Sequence, residues 1–123
     1  MGTLWLVAIL AADLFSGVRS TVEKKGPVRP ARAKDCAIEF VNGKTSERPH
    51  EVLATIQVYV RRNKITMGQK AEYEEAKPEF RKQACKLGAD GLIVLQQTVS
   101  HSGEFKLLYV KGDAVHFADK PSD

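Results

Sequence analysis

The chain lacks most of the patterns that announce a chemistry. No nucleophile elbow, phosphate loop or dinucleotide fingerprint occurs. No internal repeat is visible. The three histidines, His50, His101 and His116, show neither the i, i+4 spacing nor a neighbouring C-x-x-C pair that would mark a metal site, and they read as surface or hairpin residues. Two cysteines are too few ligands for a closed soft-metal centre. No apolar run reaches the roughly 20 residues that span a bilayer. These absences predict a protein that is not an enzyme and carries no cofactor or metal.

Charge is also missing where a nucleic-acid binder needs it. The net charge is +4. Six of the basic residues against two acidic ones fall in residues 19–35, whereas residues 36–123 carry thirteen basic and twelve acidic residues. A nucleic-acid-binding domain carries its own basic face, so no nucleic-acid partner is expected.

What is present begins with an apolar run over residues 4–12, extended by Leu14 and Phe15. Its length suits the h-region of a signal peptide, although no Lys or Arg precedes it. Leu14-Phe15-Ser16-Gly17-Val18 resembles a lipoprotein box in which Val18 stands where the lipidated Cys would be, so there is no sulfur to acylate. Residues 1–18 are therefore expected to be a signal-like hydrophobic segment, with a hydrophobic helix packed on the domain as the alternative. Residues 19–35 hold Gly26, Pro27 and Pro30 with little to bury, which predicts a disordered or polyproline-like tether. Its positive charge suits contact with anionic head groups at a membrane surface.

Residues 36–123 read as a single α+β domain: a mixed sheet of four to five strands covered by one main helix, in the order β-β-α-β-β-β. Residues 36–41 form a first strand. Residues 52–60 form the clearest one, with Val52, Ala54, Ile56, Val58 and Val60 on one face and Leu53, Thr55, Gln57 and Tyr59 on the other. Thr66 and Gln69 could open a helix with a capping box. Tyr73, Ala76, Phe80, Ala84 and Leu87 then make one apolar stripe. Pro78 predicts either a kink or a helix start near Ala76. Gly88 is placed to stop the helix in the left-handed conformation, with Lys86 favourable at the negative end of the dipole. Strands follow over 92–99, 105–110 and 114–118, the last two separated by a turn at Lys111-Gly112-Asp113.

Cys36 opens the domain and Cys85 lies in the last turn of the helix. In an exported domain such a pair favours a disulfide. In a reducing compartment the same residues would be two buried thiols. Gly88-Ala89-Asp90-Gly91 follows a helix instead of opening one, so it is no phosphate cradle, and Asp90 is expected to cap or turn. Glu72, Glu74, Glu75 and Glu79 read as a solvated helix face. Arg61-Arg62-Asn63-Lys64 reads as a basic loop. Tyr59, Arg61, Arg62 and Tyr109 are the candidate partner contacts, because aromatic residues with Arg are typical interface anchors.

A strand followed by a helix that ends Ala84-Cys85-Lys86-Leu87-Gly88-Ala89-Asp90-Gly91-Leu92-Ile93-Val94 resembles the small bacterial domains typified by the outer-membrane lipoprotein sensor of the Rcs envelope-stress phosphorelay. It is also similar to putative heavy-metal-binding domains of the YbjQ type. The first resemblance implies an anchor, a basic Pro-rich tether and a disulfide-stapled domain that contacts envelope proteins. It departs at the absent lipidated Cys and the absent second disulfide. The second implies a homo-oligomeric metal-binding module. Together these features predict an exported envelope protein, periplasmic or membrane-associated and of a stress-sensor-like type. It would act by binding another envelope protein or the cell wall, with the metal module as the alternative.

Overall fold

The computed structural model describes residues 17–43, 48–63 and 72–119. Their elements are β1 (Gly17–Lys24), β2 (Glu39–Asn42), β3 (His50–Asn63), α1 (Tyr73–Lys86), β4 (Gly91–Ser102) and β5 (Phe105–Phe117). The strands form one five-stranded sheet ordered β1-β3-β5-β4-β2. β2 runs parallel to β4 and every other pairing is antiparallel, so the sheet is mixed. With its single helix among the described residues this is an α+β fold, although three strands precede the helix and two follow it.

The core lies between the sheet and α1. Alternate residues of β3, Ile56, Val58 and Val60, have no exposed surface and point at the helix, as do Val110 and Ala114 of β5 and Leu92 of β4. The helix answers with Ala76, Phe80 and Ala84, spaced at one turn, flanked by half-buried Tyr73 and Leu87. Burying each of the larger aliphatic or aromatic side chains contributes about 1.5–3 kcal/mol. Two polar links fasten the helix at its rim. Arg62 donates to Glu75 at 2.8 Å, and Ser20 of β1 donates its hydroxyl to Glu79. The acidic run expected to be merely solvated thus ties two strands to the helix.

The ends of α1 follow local chemistry. Glu72 and Glu75 form a reciprocal capping box at the N-terminus. The box expected at Thr66 and Gln69 lies outside the described residues. Pro78 sits inside the helix, so the start expected near Ala76 is corrected to Tyr73. The carbonyl that Pro78 leaves without its bond belongs to Glu74, an exposed residue where water can serve instead. At the other end Gly88 takes φ +76°, its N–H donates to the carbonyl of Cys85, and the N–H of Ala89 donates to Ala84. That double bond pattern is a Schellman stop.

Three further expectations need correction. Residues 19–24 of the expected tether, with Gly17 and Val18 of the expected hydrophobic segment, are strand β1, paired with β3 from Gly17 opposite Arg61 to Lys24 opposite Ala54. Its continuation is a strap. Lys25 and Gly26 donate to the carbonyl of Leu53, and the Arg32 N–H donates to Cys85 while its guanidinium donates to Ala89. Second, β5 is continuous: Gly112 and Asp113 lie within it, paired on both sides. Third, the pairing of β3 with β5 shifts between Val52 and Ala54, leaving Leu53 as an extra residue. The bulge turns Val52 away from the helix and into a small second cluster with Ile93, Val115 and Phe117 on the opposite face.

Cys36 and Cys85 are joined by a disulfide, with Cα atoms 5.9 Å apart. It fixes the end of the strap to the last turn of α1, just before β2 begins.

Candidate interaction face

The sheet face opposite α1 is built by register. Its side chains come from the odd-numbered residues of β3 beyond the bulge and of β5. Across four strands, Arg19, Tyr59, Tyr109 and Thr98 stand in one row. Thr21, Gln57, Lys111 and Gln96 form the next. The rings of Tyr59 and Tyr109 are 5.1 Å apart and tilted by 41°. Tyr59 donates its hydroxyl to Gln57 at 3.1 Å. Arg61 lies over the ring of Phe105 at 4.2 Å, a cation–π contact. The Tyr109 phenol is pushed above its ordinary pKa chiefly by burial and secondarily by its neighbour Tyr59.

Three of the four expected contact residues, Tyr59, Arg61 and Tyr109, therefore share this face. Arg62 does not. One residue further along the strand it points to the helix side, where it bonds Glu75. Sequence reasoning missed Arg19, Phe105 and Lys111 as members of the face. The alternation of Thr55, Gln57 and Tyr59 signalled the β3 part, and Arg61, expected in a basic loop, continues it within the strand. The β5 part was hidden because the strand was read as two.

Among the described residues, one end of this face is closed. There Phe117, clustered with Val115 and Ile93, is covered by Arg48, which lies 3.9 Å from the Phe117 ring and pairs with both Glu39 and Asp119. Thr55, 3% exposed, donates its hydroxyl to Asp113 at 2.8 Å. Toward Tyr59 and Tyr109 the face opens.

The histidines are separate. His116 contacts Asp90 at 2.6 Å, His50 lies against Arg48 and Phe117, and His101 is exposed on β4. Asp90 also accepts the N–H of Phe117, so it pins the end of β5 to the helix stop. Among the described residues no three His, Cys, Asp or Glu side chains converge on a metal-sized site. No helix of the described residues is long and apolar enough to cross a membrane.

No protein-family model matches the chain. No curated protein matches its sequence. Among solved structures, the Francisella virulence factor FvfA in its orthorhombic crystal form superposes with a TM-score of 0.51, covering 80% of this chain and 97% of its own at 10% identity. At that identity the likeness is one of fold.

Proposed function

We propose that this chain is an exported envelope domain that works by binding another protein through the open face of its sheet. The observation that carries the reading is the Tyr59–Tyr109 pair, set beside Arg61 and Lys111 on a face that α1 leaves uncovered. Tyr and Arg supply large contact area with directional polar tips, and they are enriched where binding energy concentrates. The Cys36–Cys85 bond supports export, because structural disulfides persist in oxidising compartments. A stress-sensor-like role in the envelope is the finer form of the same reading.

The test is co-purification from envelope extract under oxidising conditions. Wild-type chain and the Tyr59→Ala/Tyr109→Ala pair serve as baits, each with its mass and disulfide verified. A partner held by the wild type and lost by the double variant is expected. An identical set of proteins on both baits would remove the open face from the argument. Recovery of the native protein with both thiols free would remove export.

A further inference from the structure

The two rims of the sheet are finished differently. β1 carries Arg19, Glu23 and Lys24 and leads into Gly26 and Pro27, devices that discourage a further strand from adding. At the other rim, β2 covers only Gly91 to Val94 of β4. β4 then runs on through residues 95–102, all of them exposed. This stretch, Leu-Gln-Gln-Thr-Val-Ser-His-Ser, contains no Lys, Arg, Asp, Glu or Pro. Its apolar members are open to solvent, Leu95 at 50% and Val99 at 51%. The pairing of β4 with β5 shifts between Val94 and Gln96, so the long edge starts beyond a bulge and is regular from Gln96 to Ser102.

From these observations we infer that residues 96–102 of β4 are the interface for a second copy of this chain, joined edge to edge as an antiparallel two-fold pair. The edge strand presents outward N–H and C=O groups, and its own copy turned through a two-fold axis supplies the matching set. Charge favours this occupant. A chain of net charge +4 resists its own copy wherever Lys and Arg meet, and this rim carries no Lys or Arg of its own. Lys106 and Lys111 sit one strand back on β5, opposite His101 and Gln96. A strongly charged peptide would find no side-chain counter-ion in this stretch.

The side-chain rows fix the register. A two-fold axis normal to the sheet keeps every side chain on its own face, so paired residues must belong to the same face. Val99 and Gln97 lie on the helix side, since they pair with the core residues Leu108 and Val110. Centring the axis on Val99 sets that half-exposed side chain against its own copy and pairs Gln97 with His101. The result is a continuous ten-stranded sheet. Both helices lie on one side, and both Tyr59–Tyr109 pairs lie on the other.

Sedimentation velocity of the full chain over a concentration series tests this independently of the partner-binding reading. The wild type is expected to show a monomer–dimer equilibrium. Val99→Lys should raise the dimer Kd by about tenfold or more, because it sets two lysines directly opposite each other across the axis, and Gln97→Lys should raise it too, because it sets a cation against His101 of the other copy with no carboxylate in the stretch to offset it. Thr21→Lys on the β1 rim should leave it unchanged. Melting curves check that each variant is folded, and if Val99→Lys is not, Gln97→Lys decides. A wild type that stays monomeric at about 1 mM overturns the proposal. So does a dimer that ignores the β4 lysines or is broken by Thr21→Lys.

Discussion

The two faces of the sheet are made from alternate residues of the same strands, yet they obey different rules. Toward α1, β3 offers Ile56, Val58 and Val60, all fully buried, with Arg62 at the rim paired to Glu75 of the helix. One residue out of phase, it offers Thr55, Gln57, Tyr59 and Arg61, each with a polar end satisfied or solvated. The first face is closed by a helix and holds the fold together. The second, among the described residues, is closed at one end by Arg48 and open at the other. The difference teaches where substitutions should act: on stability when they fall toward the helix, and on binding when they fall away from it.

The largest break in that comparison comes from the helix side. Phe80→Ala empties the centre of the core and is expected to cost about 3–5 kcal/mol in denaturant unfolding. Reducing the disulfide, or replacing both cysteines with Ser, frees the 49-residue separation between Cys36 and Cys85. The chain-entropy relation gives about 4 kcal/mol for that loss, read as the difference between unfolding curves with and without reductant. Gly88→Ala is next. It forces a side chain into φ +76°, and its Cβ would sit 2.6 Å from the Pro30 carbonyl. A cost above about 1 kcal/mol follows, and it should appear in the same unfolding assay. On the open face, Tyr59→Ala should cost about 1 kcal/mol of stability. It should nonetheless weaken partner capture more than any helix-side change that leaves the protein folded.

The smallest effect sharpens the electrostatics of the open face. Burial raises the Tyr109 phenol most, and repulsion between the two phenols adds to it. Tyr59→Phe removes only the second cause, so tyrosinate absorbance should show Tyr109 ionising earlier than in the wild type but still above its ordinary value. The sign carries over to stability. A phenol raised in the folded state binds its proton more tightly there than in the unfolded chain. Stability should therefore fall as pH rises past the unfolded value of 10.0, and fall less in Tyr59→Phe.

How much of this was legible in the sequence depended on how local the cause was. The Gly88 stop was readable because a Schellman turn involves six consecutive residues. The stripe from Tyr73 to Leu87 was readable from its period, and the two cysteines from their scarcity. Strand β1 was not, because a charged edge strand exists only through β3 and through Ser20 reaching Glu79. Gly112 misled for a related reason. It looked like a turn, but it is small because Leu92 lies above it: a Cβ there would stand 2.7 Å from Leu92 Cδ1. The Leu53 bulge has no sequence mark at all, and it moved Val52 to the other face. The open face was half legible, through the alternation in β3, and half concealed by the misreading of β5.

The middle position in the sheet belongs to β5, the latest of its five strands in the chain. β3 and β4 are both hydrogen-bonded to β5 and to no common neighbour besides it, and the two outermost strands hang on them in turn. Without Phe105 onward the chain can therefore form two strand pairs, β1–β3 and β2–β4, that share no hydrogen bonds and meet only through α1. The sheet is therefore completed only by the strand that comes last, so a chain truncated before Phe105 would lack the one element that joins its two halves by hydrogen bonds.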